Sequence, residues 1–147
     1  MQLTKQTDFA FRVLIYLGTA PESWATIQTI ASDFAISKSH LMKVVQKLAQ
    51  HGYVSALRGK HGGIKLAQAP QSITLRAVIE HMETTLDPIN CFEPPCVLGH
   101  GCALKRFLWQ ANGHYLTYLE QVTLADILPV TRPAEFSLNR LTTERVR

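Results

Sequence analysis

The chain has 147 residues, is 46% hydrophobic and carries a formal charge of +4, which suits one domain of ordinary size with a real core. No repeat or low-complexity tract is present, and the apolar run at 9–17 is short and broken by Arg12, so neither a solenoid nor a membrane span is expected. The charge is unevenly spread: residues 34–79 contain no Asp or Glu, yet hold Lys38, Lys43, Lys47, Arg58, Lys60, Lys65 and Arg76, the footprint of a surface that meets a polyanion or of a plain solvated basic face.

In chain order, the first helix is predicted over about 4–19, with Phe9, Val13, Tyr16 and Leu17 on one face. Phe11 and Ile15 lie on another face beside Asp8, so this helix either contacts a second subunit or is buried internally on both sides. Thr26 is placed to cap a short helix carrying Ile27, Ile30, Ala31 and Phe34. Ile36 and Ser37 then turn the chain into a helix that directs Leu41, Val44, Val45 and Leu48 inward and Lys38, Ser39, His40 and Lys43 outward, until Gly52 stops it. This is the pattern of a helix-turn-helix whose second helix can enter a major groove.

Residues 53–58 alternate as a strand, GKHGG follows, and 64–67 can return as its partner. Arg58, Lys60 and His61 crowd a tip lined by Gly62 and Gly63, where cations and tight backbone can reach phosphates or a minor groove; the glycines can equally serve the turn alone. The fold class is therefore mainly α: a winged helix-turn-helix with a small two-stranded wing and a long dimerisation helix.

TLRAVIEHMETTL is read as a further helix, with Leu75, Val78, Ile79 and Met82 on its apolar side. The long helix is expected from Ala103 to about Val122. Leu104, Leu108, Ala111, Tyr115, Tyr118, Leu119 and Val122 form its seam, opposite Lys105, Arg106, Gln110, His114, Thr117, Glu120 and Gln121. That seam joins two copies or packs on its own domain. Thr123 and Asp126 in TLAD form a capping-box pattern for a final short helix, and 129–147 reads as a mobile or loosely docked tail.

All three cysteines fall in CFEPPCVLGHGC, at C-x4-C-x5-C. An odd number, and an opening stretch without a leader pattern, argue against disulfides and point to a reducing cytoplasm. The spacing leaves an iron-sulfur cluster, zinc with His100 as a fourth donor, and metal-free thiols open. Wide gaps and Gly99 with Gly101 suit the larger cluster, whereas Pro94 and Pro95 remove two backbone donors from it.

TDFAFRVLIYL, ISKSHLMKVVQKLAQHGYVSALRGKHGGIKL, the three cysteines and TLADIL resemble the winged-helix iron-sulfur repressors over about 1–128. The four-then-five spacing and CALKRFL are most similar to the nitric-oxide-sensing branch; IscR-type members have a wider first interval and a histidine where this chain has Lys105. The resemblance implies a cytoplasmic homodimer that binds a palindromic double-stranded operator while its cluster is intact and releases it when nitric oxide attacks. It implies a cluster on Cys91, Cys96 and Cys102, 4Fe-4S being favoured over 2Fe-2S, with Asp8 of the partner subunit as fourth ligand. It also implies DNA contacts by Lys38, Ser39, His40, Lys43, Arg58, Lys60, His61, Gly62 and Gly63.

The expected organisation is a DNA-binding domain at 1–85, a cluster loop at 86–102, a dimerisation helix with a short terminal helix at 103–128, and a tail at 129–147. An IscR-type redox repressor and a zinc-stabilised transcription factor are the alternatives. A small electron carrier would leave the wing and the acid-free window unexplained, and no nucleophile–base pair marks an enzyme.

Overall fold

The computed structural model describes residues 2–59, 62–98 and 101–136. Helix α1 (Lys5–Gly18) starts at Thr4, whose hydroxyl accepts from the Thr7 amide. A distant carboxylate reinforces that start: Glu83 accepts from the Thr4 amide at 2.8 Å and from the Thr7 hydroxyl at 2.5 Å. Ala10, Val13, Leu14, Tyr16 and Leu17 form the buried side. Phe9, expected among them, is half-buried at the edge of α1, and Phe11 and Ile15 pack partly against the chain's own core.

Helix α2 (Ile27–Asp33) is capped by Thr26, which accepts from the Thr29 amide at 3.0 Å. Ala35 then takes a positive φ of 52°, and the Ile36 amide returns to the Ala31 carbonyl at 2.9 Å. That tight turn delivers α3 (Lys38–Gln50), capped by Ser37, with Leu41, Val44, Val45 and Leu48 buried as predicted. The chain leaves α3 through Gly52 at φ 74°, the left-handed exit that glycine tolerates.

Strand β1 (Val54–Leu57) pairs antiparallel with β2 (Gly63–Leu66), Val54 opposite Leu66 and Leu57 opposite Gly63. Strand β1 is shorter than 53–58, starting after Tyr53, whose amide is held by the Leu48 carbonyl at 3.0 Å, and β2 lies one residue earlier than 64–67. Ala25 adds a bridge to Ile64, with backbone bonds of 2.9 and 2.8 Å, that no periodicity signals.

Helix α4 (Leu75–Met82) ends before the predicted 86, since Glu83 turns extended to reach α1. His81 and His51 act in packing: their rings stack at 4.1 Å, and the Tyr53 hydroxyl meets His81 Nδ1 at 2.7 Å. Helix α5 (Ala103–Glu120) packs on α4, and the chain then returns to the head. The Leu75 amide bonds the Val122 carbonyl at 2.9 Å, and the Leu124 amide bonds the Ile73 carbonyl at 2.7 Å. The expected final helix is a 3-10 turn, Leu124–Ile127, in which Asp126 accepts from the Thr123 amide and hydroxyl at 2.8 and 2.7 Å.

The tail continues docked through Phe136. Its ring lies 4.7 Å from that of Tyr16 and 5.2 Å from that of Phe34, with Arg132 over Tyr16 at 5.1 Å. Burial first, then the hydrogen bond to Asp33 and that residue's charge, push the Tyr16 hydroxyl up to about 12, against the pull of Arg132. The remainder of the tail, 137–147, lies outside the described residues.

Candidate nucleic-acid interface and thiol arc

On α3 the buried residues fix which side faces out. Lys38, Ser39, His40 and Lys43 are all exposed there, as predicted. Met42, 51% exposed, and Gln46 share that side and were missed; their spacing from Ser39 and Lys43 follows the same helical turn as the buried set, one face round. An exposed methionine beside polar groups suits apolar contact with a thymine methyl.

Not every cation of the acid-free window is available. Lys47 donates to the Met82 carbonyl at 3.0 Å, Lys65 lies over Trp24 at 5.3 Å, and Arg76 pairs with Glu80 and Glu120 at 2.8 Å each. Lys38, Lys43 and Arg58 remain exposed, whereas Lys60 and His61 lie outside the described residues. Arg58 follows β1 directly. After it Gly59 takes φ 113°, and the Gly62 amide closes on the Gly59 carbonyl at 2.9 Å. A side chain at Gly62 would strike that carbonyl at 2.9 Å, and one at Gly63 would strike the Ala25 carbonyl at 2.9 Å. The wing's own closure therefore accounts for both glycines.

The thiols lie on an arc that leads into α5. Asn90 accepts from the Phe92 and Glu93 amides at 2.9 and 3.1 Å, and the Cys96 amide bonds the Cys91 carbonyl at 3.2 Å. Cys102 is the cap of α5, its sulfur accepting from the Lys105 amide at 3.5 Å. Lys105 in turn lies 5.3 Å from both the Phe92 and the Trp109 rings, which draws the arc onto the helix. All three thiols are free, with Cys96 exposed and the other two half-buried.

Asp8 stands apart on α1, paired with Arg12 at 3.0 Å. Among the described residues no three His, Cys, Asp or Glu side chains stand close enough to hold a metal. The donor set nonetheless fits a thiophilic group: three soft sulfurs, none consumed by a disulfide, with one of them, Cys102, at the positive end of an 18-residue helix.

Helix α5 buries none of its side chains. The predicted seam divides in two. Leu108, Tyr115, Leu119 and Val122 are half-covered, whereas Leu104, Phe107, Ala111, His114 and Tyr118 form an exposed line at steps of three and four. Phe107 was missed, and His114 belongs to this line rather than to a purely polar side.

Residues 3–129 match the Rrf2 family, described as iron-dependent transcriptional regulators. The HTH-type transcriptional regulator NsrR of Bacillus licheniformis is 42% identical over 132 residues, spanning 87% of this chain and 92% of its own. Among solved structures, CymR, the global cysteine regulator of B. subtilis, is 25% identical with a TM-score of 0.72, over 86% of this chain and 95% of its own. IscR of T. potens shares the fold at 20% identity and a TM-score of 0.68, over 86% and 85%.

Proposed function

Because the chain belongs to the Rrf2 family of transcriptional regulators, we propose that it is an iron-sulfur-dependent repressor that senses nitric oxide. As a member of that family it regulates transcription and is not an enzyme. Among the described residues no helix is long and apolar enough to cross a membrane. The observation that carries the proposal is the free thiol arc, hinged on the start of α5 beside a head whose outward helix bears no acid.

Cys91, Cys96 and Cys102 would hold the cluster, four-iron by preference, with Asp8 of a second copy as the exchangeable ligand. When bound, the cluster would supply iron at which nitric oxide can react. The rest of the work falls to this chain's own residues. The exposed line on α5 joins two copies, setting the heads, 1–85, at the spacing of a palindromic double-stranded site. Loop 86–102 holds the cluster, 103–128 forms the dimer element, and 129–147 is an appended tail.

Coupling has a physical route. Glu120 of α5 holds Arg76 of α4, and Glu83, just beyond α4, holds Thr4 and Thr7, next to Asp8. Lys38, Ser39, His40 and Lys43 read the major groove, while Arg58 and the wing tip, 60–63, reach the minor groove.

The test is retention of a duplex selected from random sequence by anaerobically purified protein, together with an iron and sulfide count. Loaded protein should bind and nitric-oxide-treated protein should not; equal binding by loaded and stripped forms overturns the reading. Arg58→Ala should lower the salt slope of binding by about one.

A further inference from the structure

A cleft of about 410 Å3 opens between the first turns of α1 and the outward face of α3. Lys5 and Gln6 form its α1 rim, His40 and Lys43 its α3 rim, and Phe9 and Val44 line it between them. Val44 is 2% exposed and Phe9 half-buried, so they present an apolar floor, while the two lysines stand exposed on opposite sides. None of the lining residues is acidic. The nearest carboxylate on α1, Asp8, is neutralised by Arg12 at 3.0 Å.

Two of the six lining residues, His40 and Lys43, already belong to the face assigned to base reading. Whatever fills the cleft therefore touches DNA whenever α3 lies in a major groove. Cations on both rims suit a phosphate, and an apolar floor suits the face of the attached deoxyribose.

We propose that this cleft seats one sugar–phosphate unit of the strand bordering the major groove, with Lys5 and Gln6 as DNA contacts beside Lys43. The proposal rests on the DNA-binding reading above and adds α1 to the interface. Helix α1 then carries a phosphate contact at Lys5 and the exchangeable ligand at Asp8, three residues further on. A shift of α1 forced from the cluster side moves a DNA contact directly.

The experiment compares cluster-loaded wild-type, Lys5→Ala, Lys5→Arg and Arg58→Ala proteins on the wild-type-selected duplex and on a scrambled one, across a salt series. Loss of one phosphate contact should weaken Lys5→Ala binding about fivefold at 0.15 M salt, equally on both duplexes, and lower the log–log slope by about one. Lys5→Arg should restore both. An unchanged Lys5→Ala slope beside a lowered Arg58→Ala slope overturns the cleft assignment and leaves the DNA reading standing. Wild-type protein that retains no duplex overturns both. A cleft serving a small soluble anion would appear as an intact slope with loss of phosphate-ion binding at His40, read by nuclear magnetic resonance in the DNA-free protein, and that also overturns the proposal.

Discussion

The reading head and the arc with α5 belong to one chain and handle apolar surface in opposite ways. From Thr7 to Met82 the head closes on itself, with Leu14, Ile30, Leu41, Leu48 and Val78 wholly buried. Between 87 and 120 no described residue is buried, and Phe92, Val97, Leu98, Leu104, Phe107 and Tyr118 are each more than half exposed. A helix alternating two apolar lines, one resting on α4 and one open, leaves a contiguous apolar surface that the chain itself does not cover. The head gathers a closed core from its own helices together with Leu124 and Phe136, whereas the second region leaves most of its apolar surface uncovered by the chain.

Paired truncations give the strongest break of that contrast. Leu14→Ala removes a wholly buried side chain and should cost about 2–5 kcal/mol of unfolding free energy at every protein concentration. Leu104→Ala, 62% exposed, should cost the dissociated chain under about 0.5 kcal/mol and show its effect only as protein concentration rises and copies associate. Urea midpoints over a thousandfold dilution series measure both. A Leu104→Ala deficit that is the same at all concentrations would place α5 in the head's own cooperative unit.

A second prediction concerns the contact that ties α4 to the start of α1. Burial alone would raise the Glu83 carboxyl, yet hydrogen bonds from Thr7 and Thr4, aided by Lys47, leave it below the usual carboxylate range. A depressed folded value means the stabilisation is complete above the unfolded pKa of about 4.5 and is lost as pH falls through the folded one. Glu83→Gln should therefore cost about 1–2 kcal/mol at pH 7 and progressively less toward pH 3. Urea unfolding at the two pH values reads this; a deficit independent of pH would assign the loss to packing.

The same contrast governs what the sequence made legible. Thr26 and Ser37 cap their helices through residues three positions on, so local pattern sufficed to place both. Leu41, Val44, Val45 and Leu48 were readable because one period places all four on one face. Glu83 reaches Thr7 across 76 residues, and no local rule marks such a pair. Periodicity marked α5 as apolar, but could not say which of its two lines rests on α4, so Phe107 was overlooked. Phe136, in a segment that follows two closely spaced prolines, has no period to reveal that it fills the space between Tyr16 and Phe34. Lys5 lies far outside the acid-free window, and only packing of α1 against α3 brings it to the same cleft as Lys43. The cysteine spacing left three chemistries open, because spacing along one chain constrains only the donors of that chain.

The smallest predicted effect tests whether the head is as free of conflict as its core implies. Ala35 holds φ 52° in the turn between α2 and α3, where an L side chain costs about 1–2 kcal/mol relative to glycine. Glycine would relieve that cost, but the unfolded chain gains freedom that offsets about 0.4–1 kcal/mol of it. Ala35 is exposed, so its methyl contributes little packing to lose. Ala35→Gly should therefore stabilise the protein by about 0.5–1 kcal/mol, seen as a higher urea midpoint with an unchanged slope. A lower midpoint would mean that the alanine restrains the unfolded chain more than the turn strains it, and that the turn presenting α3 to DNA is set by chain stiffness instead of by packing.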